Sequence, residues 1–184
     1  MEKEIVFNLI NELRLDSFTA ARLAVILKTN HMTVIRAARR LVEENVLDTV
    51  KEGRNKLYSL KTTLEAKNYL FMAELYKLNK LINKYPTMRR IVGIIQNDRR
   101  IELAVLFGSY ANFSADKTSD IDIFIEGNNA KIREEIESKD SKASVKIGRY
   151  VEDNSLIKEI WKKHIILKGI EVYYEKTKFF SKAL

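Results

Sequence analysis

The sequence predicts an α+β protein in two parts joined by one long helix. Three observations predict it. Residues 2–60 carry three helical periodicities followed by a β-hairpin signal. Residues 61–84 keep helical spacing with neither Gly nor Pro. After the lone Pro86, helical and strand-like stretches alternate to the end of the chain, the pattern of a small mixed domain. The expected organisation is therefore 1–60, a linker helix over 61–84, and 85–184.

Each element rests on its own spacing. Ile5, Leu9 and Leu13, with Val6 and Ile10 beside them, give a first amphipathic helix. In DSFTAARLAVILKTN, Asp16 or Ser17 is placed to cap a second, whose inner face is Leu23, Ile26 and Leu27. A polar break, KTNH, precedes a third, MTVIRAARRLVEEN, with Ile35, Ala38, Leu41 and Val42 expected inside and Thr33, Arg36, Arg39 and Arg40 outside. Leu47–Val50 and Lys56–Leu60 are β-prone and flank Glu52-Gly53-Arg54-Asn55, a hairpin turn signal. Leu64, Leu70, Leu75, Leu78 and Ile82 stripe the long helix, which must end before Pro86 because a residue preceding proline is pushed out of helical geometry. That stripe suits a bridge between domains or pairing with a second copy. Beyond it, TMRRIVGIIQNDRR, NAKIREEIESK and NSLIKEIWKKH read as helices. IELAVLFGS, DIDIFIEG and KASVKIGRYV read as strands, and IILKGIEVYY as a strand or a strand and turn. Trp161 and His164 are expected to be structural, His31 to lie at the surface, and YYEKTKFFSKAL to form an ordered tail or an aromatic patch for a partner.

Composition narrows the function classes. The 184 residues are 46% hydrophobic and contain no cysteine, so a packed core is expected while disulfides and thiolate metal sites are excluded. No apolar run approaches the ~18 residues of a membrane span. The start, MEKEIVFNLINEL, reads as an amphipathic helix rather than a signal peptide, so a cytoplasmic protein is expected. The net charge of +8 suits a partner rich in phosphate. Between residues 14 and 40, Arg14, Arg22, Lys28, Arg36, Arg39 and Arg40 face a single acid, Asp16.

Three helices and a hairpin over residues 2–60, with the short break at 28–31, an arginine-bearing third helix and Gly53-Arg54 at the hairpin tip, resemble a winged helix-turn-helix domain. The resemblance implies that Thr33, Arg36, Arg39 and Arg40 face the major groove of double-stranded DNA and that Arg54 and Lys56 meet its phosphates. A domain of this kind used for protein docking is the alternative.

The stretch FGSYANFSADKTSDIDIFI, Phe107 to Ile125, carries the chemistry. In a strand, Asp120, Asp122 and Phe124 share one face, and Ile121, Ile123 and Ile125 the other. Two carboxylates about 7 Å apart repel one another, more so when half-buried. A divalent cation removes the conflict, and Mg²⁺ takes carboxylate oxygens while keeping waters and substrate phosphates as its other ligands. Gly108 lets the backbone approach phosphate, and Ser109 with the amides that follow can donate to it. Phe107, Gly108-Ser109, ten residues, then Asp120-Ile121-Asp122 resembles the polymerase-beta-like nucleotidyltransferase superfamily, in particular its minimal members. The likeness covers about 87–184, and its fusion to a winged helix resembles archaeal and bacterial proteins that join the two modules.

The resemblance implies transfer of a nucleotidyl group from an NTP, such as ATP, to an acceptor hydroxyl. It places Mg²⁺, as one or two ions, on Asp120 and Asp122, and the phosphates on Gly108 and Ser109, with Tyr110 either beside the nucleotide or packed in the core. Acceptors include a nucleic-acid end, a small molecule or a protein such as a cognate toxin. Two positions depart from the family's pattern. Phe113 stands where members often carry glycine. Lys146, in SVKIGRY, stands where active members have a third carboxylate; it is a fixed positive charge for phosphate, with Asp140 and Asp153 to either side as other candidates. The alternative function is a regulator whose nucleotidyltransferase domain binds nucleotide without turnover.

Overall fold

A computed structural model of the chain describes residues 2–180. The fold is mixed α+β. It forms two compact units: residues up to Ala73 with Phe179 and Phe180, and Glu74–Lys178. The division falls inside the long helix, at neither of its ends.

In the first unit, α1 (Glu2–Leu13) buries Val6, Leu9, Ile10 and Leu13. A two-residue strand, β1 (Phe18–Thr19), occupies the place expected to begin the second helix. The cap of α2 (Ala20–Ile26) is consequently neither Asp16 nor Ser17 but Thr19, whose Oγ1 accepts from the Arg22 amide at 3.3 Å. Lys28 adopts φ +50, and two hydrogen bonds, Lys28 N to Val25 O and Thr29 N to Ala24 O, close the end of α2 without a glycine. Asn30 then caps α3 (His31–Glu43), its Oδ1 accepting from Met32 N at 2.8 Å. The inner stripe of α3 is Val34, Ala37, Ala38 and Leu41. Ile35 and Val42, expected inside, are only half-buried, because the core lies one position round the helix. Asn45, φ +62, turns the chain into β2 (Leu47–Glu52) and β3 (Asn55–Leu60), which pair antiparallel from Leu47↔Leu60 to Glu52↔Asn55. With β1 they form a sheet of order β1-β3-β2.

Helix α4 (Leu64–Lys84) buries Leu70 and Leu78 of the expected stripe but leaves Leu64 and Leu75 exposed. In the second unit α5 (Met88–Asn97) leads to β4 (Ala104–Leu106), a strand shorter than expected because Gly108 already opens a one-turn helix, α6 (Gly108–Ala111). Then follow β5 (Ile121–Glu126), α7 (Ala130–Lys139), β6 (Ala143–Gly148), α8 (Ser155–Lys162), β7 (Ile165–Lys168) and α9 (Ile170–Lys176). The sheet order is β6-β5-β4-β7, with β5 and β6 parallel and the other pairs antiparallel.

Within IILKGIEVYY, β7 is the strand expected, and α9 replaces the strand continuation or turn expected after it. Gly169 (φ +81) makes the reversal, and a side chain there would overlap the Glu102 carbonyl. Only glycine fits. Tyr173 and Tyr174 of the expected aromatic tail are buried, and its last four residues, 181–184, lie outside the described residues.

Strand alternation decides what the sheet offers for function. Ile121, Ile123, Ile125, Val145, Ala104, Leu106, Ile165 and Leu167 join one apolar cluster with Ile91 and Ile95 of α5 and Ile132 and Ile136 of α7. Full burial of such a side chain is worth about 1.5–3 kcal/mol, so this face fixes the register. The residues between them, Asp122, Phe124 and Lys146, are thereby committed to the other face.

Candidate functional site

The predicted Gly-Ser and Asp-Ile-Asp segments meet. The Phe107 amide donates to Asp122 O at 3.0 Å, extending the β4–β5 ladder by one bond past Leu106↔Ile123. Gly108 then takes φ +69 and starts α6. A β-carbon on Gly108 would overlap Asp122 Oδ2 and lie 3.3 Å from its Cγ. The glycine backbone and the carboxylate therefore touch. This position needs glycine twice over, for the left-handed backbone and for the missing side chain.

Ser109 is half-buried in the first turn of α6, and its carbonyl accepts from the Ser114 amide at 3.0 Å. That bond, with Phe113 N to Tyr110 O at 3.0 Å, ends α6 in a Schellman motif. Phe113 occupies the left-handed position at φ +57. The backbone keeps the conformation a glycine would favour, while the Phe113 ring packs on the core and sits 5.7 Å from Lys80 Nζ and 5.9 Å from Lys84 Nζ. Lys84 Nζ also donates to the Phe113 carbonyl. Downstream, Asp116 Oδ1 accepts from Thr118 N, Thr118 Oγ1 and Ser119 Oγ, so the loop into β5 is closed on itself.

Asp120 is exposed and Asp122 half-buried. The Asp122 carboxyl titrates above its ordinary range, first because burial penalises its charge and then because Asp120 repels it; Lys146 opposes the shift and Glu159 adds to it. Register places Ser144 directly across from Asp122, and Lys146 across from Phe124 on the same face. Ser144 and Glu159 were missed by sequence reasoning. Only strand pairing and the placement of α8 reveal them, and no local motif marks either.

The other candidates fall elsewhere. Tyr110 takes the packing role that was one of its two readings: it is 6% exposed and lies edge-on to Tyr85 at 4.9 Å between centroids. Asp140 ends α7 and accepts from Lys142 N. Asp153 is fully solvent-facing beside Lys158. Among the described residues no three His, Cys, Asp or Glu side chains cluster as a metal site. What the site does offer is two carboxylates on one face, the inner one destabilised by the outer, beside a backbone that a side chain would fill. This donor set fits a hard divalent cation carrying phosphate.

In the first unit, Arg36, Arg39 and Arg40 are exposed on α3, and Arg54 and Lys56 are exposed on the hairpin. Arg40 is engaged with Glu44 at 2.8 Å. Arg14, counted in the basic stretch, is 5% exposed and adds nothing to the surface charge. Thr33 is half-buried. His164, expected to be structural, is buried, its Nδ1 2.6 Å from Ile160 O and its Nε2 3.4 Å from the buried Glu74. Trp161 stacks on Tyr173.

Comparison with known proteins bears on the second unit. Residues 89–178 match the model of the family described as Polymerase beta, Nucleotidyltransferase. The match supports a nucleotidyltransferase domain over 89–178 and leaves 1–88 unassigned. No curated protein matches the chain. Among solved structures, the adhesin competence repressor (AdcR) from Streptococcus pyogenes is similar at 20% identity, over 49% of this chain and 76% of that one, with a TM-score of 0.35. At that level the likeness carries no conclusion about fold or function. No helix among the described residues is long and apolar enough to cross a membrane.

Proposed function

We propose that the chain is a Mg²⁺-dependent nucleotidyltransferase, in which an acceptor hydroxyl attacks the α-phosphate of an NTP, takes the nucleoside monophosphate and releases pyrophosphate, coupled to a DNA-binding winged helix. The observation that carries the reading is the contact of Gly108 with the Asp122 carboxylate. On this reading the backbone that would bind phosphate lies beside the carboxylates that would hold metal.

Asp120 and Asp122 would hold the metal. When bound, the ion neutralises triphosphate charge and lowers the pKa of an attacking hydroxyl. The chain's own contribution is positioning. With Gly108 at φ +69 opening α6, the amides that follow and the Ser109 hydroxyl would be the donors to phosphate. Lys146 supplies a fixed cation on the same face, placed to hold phosphate oxygens. Burial of Asp122 beside Asp120 raises the cost of two bare negative charges, so the pair is arranged for a cation.

In the first unit, helices α1 to α3 and the β2–β3 hairpin are read as the winged helix. Arg36 and Arg39 on α3 would face the duplex with Thr33, while Arg54 and Lys56 would meet its phosphates. Arg40 contributes less, being tied to Glu44. The exposed Leu64, Met72 and Leu75 on α4 support pairing with a second copy.

One observation favours a second reading. Lys146 lies on the same strand face as Asp122, where the resemblance implies a third carboxylate, and a lysine there cannot ligate Mg²⁺. A regulator that binds Mg-NTP without turnover is therefore the alternative. The test is incubation with labelled ATP, CTP, GTP and UTP plus Mg²⁺, alongside equilibrium binding, with Asp120→Ala/Asp122→Ala as control. Transfer lost in the control supports the enzyme. Binding without transfer supports the regulator, and absence of both removes both. For the DNA reading, Arg36→Ala and Arg54→Ala should each lower the salt slope of duplex binding by about one.

A further inference from the structure

We propose that the first unit also binds a small organic phosphate, in the cavity between α3 and the β2–β3 hairpin, through cations shared with the proposed duplex contact. The cavity measures about 350 Å³, within the range of small-molecule sites. Its walls come from the start of α2 (Thr19, Ala20), one row of α3 and the hairpin.

Charge points to the class of ligand. Arg39, Arg54 and Lys56 line the cavity with His31, and no acid does. None of the three fixed cations has a side-chain partner among the described residues, in contrast to Arg40 with its Glu44. Three uncompensated positive charges round one concavity favour a ligand carrying the ≈ −1.5 to −2 of a phosphate monoester at neutral pH. The floor points to an apolar body. Ile35, Val42 and Tyr58 line the same space. A groove that served only to seat a backbone phosphate has no use for these.

Arg39, Arg54 and Lys56 belong both to this cavity and to the proposed duplex contact, whereas Thr33, Arg36 and Arg40 of α3 do not line it. His31, Ile35, Arg39 and Val42 form the row that lines the cavity. The outer row of Thr33, Arg36 and Arg40 is centred roughly 140° further round at 100° per residue. The half-burial of Ile35 and Val42, at odds with the sequence expectation, is what a ligand-lining wall requires.

The experiment uses the full-length chain without DNA or Mg²⁺, so it does not depend on the DNA or transferase readings. Phenyl phosphate and inorganic phosphate are titrated by calorimetry. Phenyl phosphate should bind at least ten-fold more tightly. Arg54→Ala/Lys56→Ala, both exposed positions, should weaken it ten-fold or more. Thr49→Phe, which fills the cavity, should abolish the preference for the phenyl ester, with folding checked by circular dichroism; if that variant does not fold, the Arg54/Lys56 pair decides. Asp120→Ala/Asp122→Ala should leave binding unchanged. No binding, equal binding of the two phosphates (the behaviour of a groove for duplex phosphate), or loss of binding in the aspartate variant would each overturn the proposal.

Discussion

Replacing Gly108 with alanine separates backbone strain from the contact that assembles the candidate site. The perturbation has two parts. At φ +69, an L-residue costs about 1–2 kcal/mol relative to glycine. The new methyl also overlaps Asp122 Oδ2, so the carboxylate must leave its rotamer, at about 0.5–1.5 kcal/mol. Gly108→Ala should therefore destabilise by about 1.5–3.5 kcal/mol and abolish Mg-nucleotide binding. In an Asp122→Ala background the overlap is gone and only the backbone part remains. A double-mutant cycle by urea denaturation should give a coupling energy of about 1 kcal/mol, above the ~0.3–0.5 kcal/mol scatter of independent sites. Equal costs of Gly108→Ala in the two backgrounds would refute the claim that Asp122 is what excludes a side chain.

Three further outcomes are expected. The Asp122 carboxyl is raised by folding, so its contribution to stability is present below the ordinary carboxylate pKa of about 4 and is lost as pH rises through the raised folded value. Asp122→Asn should consequently melt higher than wild type at neutral pH without metal, the gap closing on acidification; an unchanged gap from pH 7 to pH 4 would contradict the assignment. Phe113 sits at φ +57, so Phe113→Gly should be more stable than Phe113→Ala by about 1–2 kcal/mol in chemical denaturation, the reverse of the helical order. Tyr174 donates to the fully buried Glu74 at 2.6 Å, and Tyr174→Phe should cost about 1–3 kcal/mol by removing a hydrogen bond from a desolvated carboxylate.

Sequence alone determined the order of the longer elements and the two halves of the candidate site, for local reasons, but not β1, α6 or α9. Period-2 alternation at Ile121, Ile123 and Ile125 sets a strand face without reference to the rest of the chain. A Gly-Ser before a short loop and two aspartates declares its chemistry in residue types. The tertiary structure decided what those residues touch. Lys28, Asn45 and Phe113 take left-handed turns that no glycine announces, because neighbouring packing outweighs a backbone cost of about 1–2 kcal/mol. The contact of Gly108 with Asp122, Ser144 opposite Asp122, and Tyr110 turned into the core all depend on register between strands distant in sequence. The inner stripe of α3 was misplaced by one position because helical spacing gives the period of an apolar face but not its phase. That phase is set by what the helix packs against, and here it leaves Ile35 and Val42 as the wall of a cavity.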